Sequence, residues 1–167
     1  TWATPLLFRP LEQGVDISIA SATKYLSGHS DVMLGSMTAS NEAVYRRLKD
    51  MAARWGISAS PDDCYLVHRG LRTLDVRLAR HQANAMVLAT WFAKQPEVRK
   101  VLYPALPSHP DHALWQRDFA GASGLFGVLL DPIDDAGRAA LFNGLSLFKL
   151  GSSWGGFESL MVPASPA

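Results

Sequence analysis

Residues 15–21, Val15-Asp16-Ile17-Ser18-Ile19-Ala20-Ser21, alternate apolar and polar side chains, the period of two that predicts a strand. The run passes into Thr23-Lys24 and a loop bearing Gly28, which places Lys24 at or just beyond the strand's C-terminal end. A second apolar run, Val32 to Met37, predicts another strand. From Asn41 to about Trp55 the apolar Val44, Leu48 and Met51 recur at helical spacing, behind a capping Asn41 and an acidic Glu42 suited to the positive end of the dipole. Ser60-Pro61-Asp62-Asp63 predicts a further helix start, with a capping hydroxyl, proline at the first position and two acids in the first turn. Gly70 is expected to end that helix. Leu74, Leu78, His81, Ala85, Leu88 and Phe92 then mark a long helix from Thr73 towards Lys94, stopped by Gln95-Pro96.

Beyond residue 95 the elements shorten. Val98–Tyr103 predicts a strand, Pro104 to Pro110 a proline-punctuated loop, and Asp111–Asp118 a helix. Leu125–Leu130 reads as a buried strand and Asp134–Asn143 as a helix; Leu147–Leu150 and Phe157–Val162 read as strands flanking a glycine turn. No internal repeat is visible. The change of pattern predicts an α/β chain in three parts, residues 1–72, a connecting helix 73–94, and residues 95–167.

Composition narrows the function classes. With 167 residues the chain has about one domain's length, on a prior of ~150 residues per domain. Hydrophobic residues make up 48% and charged residues 19%, the latter below the ~25% of typical soluble domains, so most of the chain is expected to be ordered. Sixteen Lys and Arg against fifteen Asp and Glu give a net charge of +1, which offers no global electrostatic case for nucleic acid or an anionic membrane. The single cysteine, Cys64, excludes an intrachain disulfide and a cysteine-pair zinc motif and fits a reducing, cytoplasmic setting. The apolar stretches around Ala85–Ala93 and Leu125–Leu130 fall short of the ~20 residues that span a bilayer. Thr1-Trp2-Ala3-Thr4-Pro5 has neither signal-peptide features nor an initiator Met, so the chain is expected to be processed, trimmed or part of something longer.

Lys24 leads the chemical candidates. A nucleophilic lysine needs an apolar or cationic neighbourhood to shed its proton, and the end of an isoleucine-bearing strand is such a place. Ser21 and Thr23, two apart in an extended segment, would project their hydroxyls to one side, where they could hold a cofactor phosphate beside a Schiff-base lysine. On spacing alone, an ordinary lysine beside turn hydroxyls is the simpler reading. Gly151-Ser152-Ser153-Trp154-Gly155 fits the G-x-S-x-G pattern of a hydrolase elbow, but a strand rather than a helix is expected after it, so a glycine turn fits better. His109-Pro110-Asp111-His112 lacks the helix that would align two metal-binding imidazoles, and no metal site is expected. His29, Ser30 and Asp31 are too close in sequence to fold back into a triad. Arg69, Arg72, Arg77 and Arg80 are expected to pair with acids or cap helix ends. Trp2, Trp55, Trp91 and Trp115 are expected in the core or an interface.

The segment Asp16-Ile17-Ser18-Ile19-Ala20-Ser21-Ala22-Thr23-Lys24-Tyr25-Leu26-Ser27-Gly28-His29-Ser30-Asp31 resembles the pyridoxal-phosphate attachment signature of the Cys/Met-metabolism enzyme family. The stretch Gly151-Ser152-Ser153-Trp154-Gly155-Gly156-Phe157-Glu158-Ser159-Leu160 is most similar to that family's cystathionine β-lyase branch. Arg69-Gly70-Leu71-Arg72-Thr73-Leu74, Tyr103-Pro104-Ala105-Leu106-Pro107, Arg117-Asp118-Phe119 and Phe148-Lys149-Leu150 match it too, so the likeness covers essentially the whole chain. The resemblance implies an aspartate-aminotransferase-like (fold type I) α/β architecture, with residues 1–72 in a cofactor-binding large domain having a mainly parallel sheet and residues 95–167 in an incomplete C-terminal domain. It implies pyridoxal 5'-phosphate bound covalently to Lys24, with Ser21 and Thr23 at its phosphate. Ser153 and Trp154 would lie at the substrate's carboxylate end and the pocket wall.

The reaction so implied is β-elimination on a sulfur-containing amino acid, cystathionine giving homocysteine, pyruvate and ammonia, in a homo-oligomeric enzyme with no nucleic-acid or membrane partner. Cystathionine γ-synthase, γ-lyase and cysteine-conjugate lyases share the lysine motif and stay open. The family's ring-nitrogen aspartate belongs to an Asp-Asn-Thr motif of which this chain starts at the threonine, and its carboxylate-binding arginine follows Glu-Ser-Leu, whereas no arginine here lies beyond Arg138. A central-to-C-terminal fragment is therefore expected, inactive alone. An inactive remnant that only self-associates through exposed apolar surface is the alternative from another class.

Overall fold

A computed structural model describes residues 1–164, so the last three residues of the expected 95–167 part lie outside the described residues. The chain opens with a short helix α1 (Thr4–Leu7) and a 3-10 turn (Pro10–Gln13). Strands β1 (Ile17–Ser21) and β2 (Gly35–Ala39) pair antiparallel, Ile17 opposite Ala39 and Ser21 opposite Gly35. The second strand begins three residues later than the apolar run suggested, because residues 22–34 form the loop that carries Lys24. Helices α2 (Glu42–Arg54) and α3 (Pro61–Leu71) follow, capped as expected by the side chains of Asn41 and Ser60.

Helix α4 (Leu74–Phe92) is about 28 Å long at ~1.5 Å per residue, and it joins two buried clusters. Its Leu74 and Leu78 pack with Ala22, Tyr25, Leu26, Val32 and Val67, and its Ala85 and Ala89 pack with Val101, Tyr103, Ala105, Leu106 and Ala122. Strands β3 (Val98–Leu102) and β4 (Gly127–Leu130) pair antiparallel with an irregularity between Val98 and Lys100, on either side of α5 (His112–Asp118). After α6 (Asp135–Asn143), the two-residue strands β5 (Lys149–Leu150) and β6 (Leu160–Met161) run parallel and close a glycine-rich loop.

Several expectations change. The two strands around Lys24 pair antiparallel with each other: residues 22–34 contain no crossover helix, so the chain returns directly beside β1. Ile19 is 69% exposed, so the isoleucine strand does not emerge from a core within this chain. Of the four tryptophans expected inside, Trp55 and Trp91 are exposed, and Trp2 and Trp115 are half-buried. Gly70 lies inside the last turn of α3 instead of beyond it, because main chain from the Lys24 loop rests against it: a Cβ there would fall on the Ser27 carbonyl oxygen and 2.5 Å from that of Leu26.

Candidate active site

Lys24 sits on a tight turn closed by short-range main-chain bonds. Its N–H donates to Ser21 O (3.2 Å), its carbonyl accepts from Gly28 N (2.8 Å), and Ser27 N donates to Ala22 O (2.9 Å). Buried Ser27 also donates through Oγ to Thr23 O at 3.0 Å. Gly28 takes φ +74, a backbone region that favours glycine. The far side of the turn is held by Arg77 of α4, whose guanidinium donates to Tyr25 O and Gly70 O at 2.8 Å each and to Thr73 Oγ1 at 3.0 Å. Arg77 thus caps the end of α3 and pins the turn together, a double role that helical periodicity does not show. Half-burial lowers its pKa from the ordinary value.

Ser21 and Thr23 do not lie in one extended segment. Ser21 ends β1 while Thr23 is already in the turn, and its hydroxyl is occupied by main chain, accepting from Leu34 N (2.9 Å) and donating to Leu34 O (3.3 Å). Those bonds join the two ends of the 22–34 loop. Ser21 N donates to Thr1 Oγ1 at 3.0 Å, and among the described residues the Ser21 hydroxyl makes no hydrogen bond.

The loop between β5 and β6 comes to this turn from more than a hundred residues away. Its ends are tied by Lys149 N to Ser159 O (2.9 Å) and Gly151 N to Met161 O (3.2 Å). Lys24 Nζ donates to Ser153 Oγ at 2.9 Å and lies 5.5 Å from the Trp154 ring centroid, a cation–π distance. Trp154 in turn tilts against Tyr25 at 5.4 Å. Gly155, at φ +85, allows the close approach: a Cβ there would lie 2.9 Å from Tyr25 N and 3.2 Å from Lys24 Cα. At the far end of the loop Ser30 Oγ donates to Glu158 Oε2 at 2.7 Å. That bond is the main reason the Glu158 carboxyl sits below its usual pKa.

Behind Lys24 the site is anchored in the second half of the chain. Tyr25 is buried and its hydroxyl accepts from Gly124 N at 2.9 Å; burial pushes its pKa up. Its ring meets that of His81 at 5.2 Å, and burial, then the charge of Arg77, pushes the His81 pKa down. Tyr103, pushed up by burial and the nearby Tyr25, donates to Ser123 O at 2.8 Å.

Other sequence candidates fall elsewhere. Among the described residues no helix follows Gly151–Gly155, and the described partner of Ser153 is an amine, so the hydrolase elbow is not formed. The His112 ring bonds Pro104 O at 2.9 Å and His109 lies 3.9 Å from Asp111, with no cluster of metal-ligating side chains among the described residues. A groove of about 570 Å³ lined by Asp135, Arg138, Phe142 and Ser152 does not include Lys24. No helix of the described residues is long and apolar enough to cross a membrane.

Residues 1–166 match the model of the Cys/Met metabolism PLP-dependent enzymes. The chain belongs to this family. It is 46% identical to the L-alanine/L-glutamate racemase of Wolbachia pipientis over 98% of this chain and 40% of that protein. It is 44% identical to the cystathionine beta-lyase of Salmonella typhimurium, over 99% of this chain and 42% of that protein. A crystal structure of cystathionine gamma synthase from Xanthomonas oryzae pv. oryzae, in complex with aminoacrylate and cysteine, superposes with a TM-score of 0.90 at 39% identity, covering 95% of this chain and 41% of that one. The chain has the aspartate-aminotransferase-like, fold-type-I architecture expected and spans about two fifths of the length of these relatives. The family consists of pyridoxal-phosphate-dependent enzymes of cysteine and methionine metabolism, and its members here are lyases, a synthase and a racemase.

The residues around Lys24 fit the cofactor. The amine faces a hydroxyl and an aromatic ring and forms no ion pair among the described residues; the Ser21 hydroxyl lies at the strand end three residues before it. Such a donor set suits an aldehyde-bearing phosphate ester.

Proposed function

We propose that this chain is the Lys24-bearing part of a carbon–sulfur β-lyase that converts cystathionine to homocysteine, pyruvate and ammonia. The observation that carries the reading is the Lys24 Nζ–Ser153 Oγ bond beneath Trp154, which brings together the segment resembling the cofactor-attachment signature and the one resembling the β-lyase branch. In this proposal Lys24 holds pyridoxal phosphate covalently. Ser21 contacts the phosphate, and Thr23 does so by exchanging its bond to Leu34 O for one to the anion. When bound, the cofactor supplies the electron sink that takes up the charge left at the substrate's Cα.

Once displaced by the substrate amine, Lys24 Nζ as a neutral amine removes the Cα proton. Ser153 Oγ holds that nitrogen in place and Trp154 walls its approach. The Cβ–S bond breaks with its electron pair on sulfur, which takes a proton and leaves as homocysteine; water then completes the three-carbon remainder to pyruvate and ammonia. The two clusters bridged by α4 support the division into 1–72, 73–94 and 95–167. Exposed Ile19, Met33 at 85% exposure and Phe157 support a homo-oligomer, and the lone exposed Cys64 a cytoplasmic enzyme.

The test has two arms. Borohydride reduction after incubation with pyridoxal phosphate is expected to label Lys24, and Lys24→Ala to remove the label. The full-length protein with cystathionine is expected to release pyruvate and homocysteine. Release of 2-oxobutyrate and cysteine instead would assign γ-elimination. The Wolbachia relative favours one second reading, racemisation, for which D-alanine formed from L-alanine without any keto acid is the signature. A protein that neither binds the cofactor nor turns over these substrates, and only self-associates, is the inactive remnant.

A further inference from the structure

The bond between Lys24 and Ser153 joins two loops, and something must hold those loops in register. The ends of the 151–159 loop are tied to each other, through Lys149 N–Ser159 O and Gly151 N–Met161 O, and not to the Lys24 turn. Between that loop and residues 22–34 the described residues form two directional bonds: Lys24–Ser153 and Ser30–Glu158. The remaining contacts, Gly155 on the Lys24 backbone and Trp154 on Tyr25, are packing, which permits sliding.

Ser30 is built for its contact. It adopts φ +59, a left-handed conformation unfavourable for a residue with a Cβ. There its hydroxyl lies against Gly156, where any Cβ would collide with Oγ, and reaches Glu158 Oε2 at 2.7 Å. Both partners are exposed, so the bond adds little to global stability. Its consequence is local, the placement of the loop's other end five residues away.

We propose that Glu158, through the Ser30 hydroxyl, is a positioning residue that holds Ser153 Oγ against Lys24 Nζ. This rests on the reading of Lys24 as the reactive amine, but it concerns the geometry of the amine with or without cofactor.

Competitive acetylation with acetic anhydride, read by peptide mass spectrometry, measures Lys24 reactivity against Lys49 and Lys94 in the same molecule. Glu158→Ala and Ser30→Gly, the latter suited to the left-handed backbone, are each expected to raise relative Lys24 acetylation about fivefold, the population change that one net hydrogen bond supplies. Glu158→Gln keeps an acceptor and is expected to restore the starting value. The double variant is expected to match either single one. Urea midpoints are expected to stay unchanged in the Glu158 variants and not to fall in Ser30→Gly, where glycine relieves the left-handed backbone.

Unchanged Lys24 reactivity in Glu158→Ala overturns the proposal, as do additive effects of the two substitutions. A general rise at every lysine with a fallen midpoint also overturns it, as the mark of a merely structural role. Borohydride-trapped pyridoxal phosphate on the unaltered protein separates the two readings: a label absent from Lys24 refutes the cofactor assignment, while the acetylation series still decides the tether.

Discussion

Replacing Gly70 by alanine tests the packing that fixes the Lys24 turn, because two effects of opposite sign compete there. Alanine is the better helix former, and in an unhindered helix interior the change stabilises by about 1 kcal/mol. At this position the new methyl lands on the Ser27 carbonyl oxygen, 2.5 Å from Leu26 O and 2.8 Å from Ser27 C. All three are main-chain atoms, so no rotamer change relieves the clash. Carbon–oxygen contacts settle at about 3.3 Å, so α3 and the turn must separate by roughly 1 Å. That movement also stretches the bonds from Arg77 to Tyr25 O and Gly70 O, each 2.8 Å. Overpacking of this kind costs about 1–3 kcal/mol, which with the stretched bonds outweighs the helix gain and leaves a net loss of about 1–2 kcal/mol. The assay is urea denaturation followed by circular dichroism at constant m-value. Gly35→Ala serves as the control, since a Cβ there meets nothing within 4 Å. An unchanged or higher midpoint for Gly70→Ala would refute the close approach and with it the account of how the Lys24 turn is held.

Three further outcomes are expected. His81 has its pKa held below the ordinary 6.5 by burial and Arg77, so as the pH falls through 6.5 the unfolded chain takes up a proton that the folded one does not. Stability should therefore drop between pH 7.5 and 5.5, and His81→Gln should flatten that dependence in a denaturation series. Gly155→Ala puts an L side chain at φ +85 and a methyl 2.9 Å from Tyr25 N. It should cost about 1–2 kcal/mol and cut cofactor labelling of Lys24, as borohydride trapping will read. Tyr103→Phe removes the buried bond to Ser123 O and should lower stability by about 1–2 kcal/mol in the same urea assay, with no change in Lys24 labelling.

Much of the local structure was legible from residue order. The caps at Asn41 and Ser60, the long helix marked by Leu74, Leu78 and Ala85, and the strand leading to Lys24 all depend on periodicity and on side chains within a turn of one another. The motif resemblance carried the family and the fold type, because both are written in contiguous stretches. Burial was less legible. Ile19, Trp55 and Trp91 are apolar and look like core, but their exposure depends on what else packs on them, which no local pattern records.

The site divides along the same line. The residue order alone determined that Lys24 follows closely on a strand, that hydroxyls flank it, and that a glycine-rich loop bearing Ser153 and Trp154 lies far along the chain. Only the tertiary structure decided that Thr23 spends its hydroxyl on Leu34, that Arg77 clamps the turn through carbonyl oxygens, and that Ser30 meets Glu158. The physical reason is the range of the interactions. Capping and periodicity act over three or four residues, whereas these bonds join groups 11, 52 and 128 positions apart and exist only once the loops have been brought together.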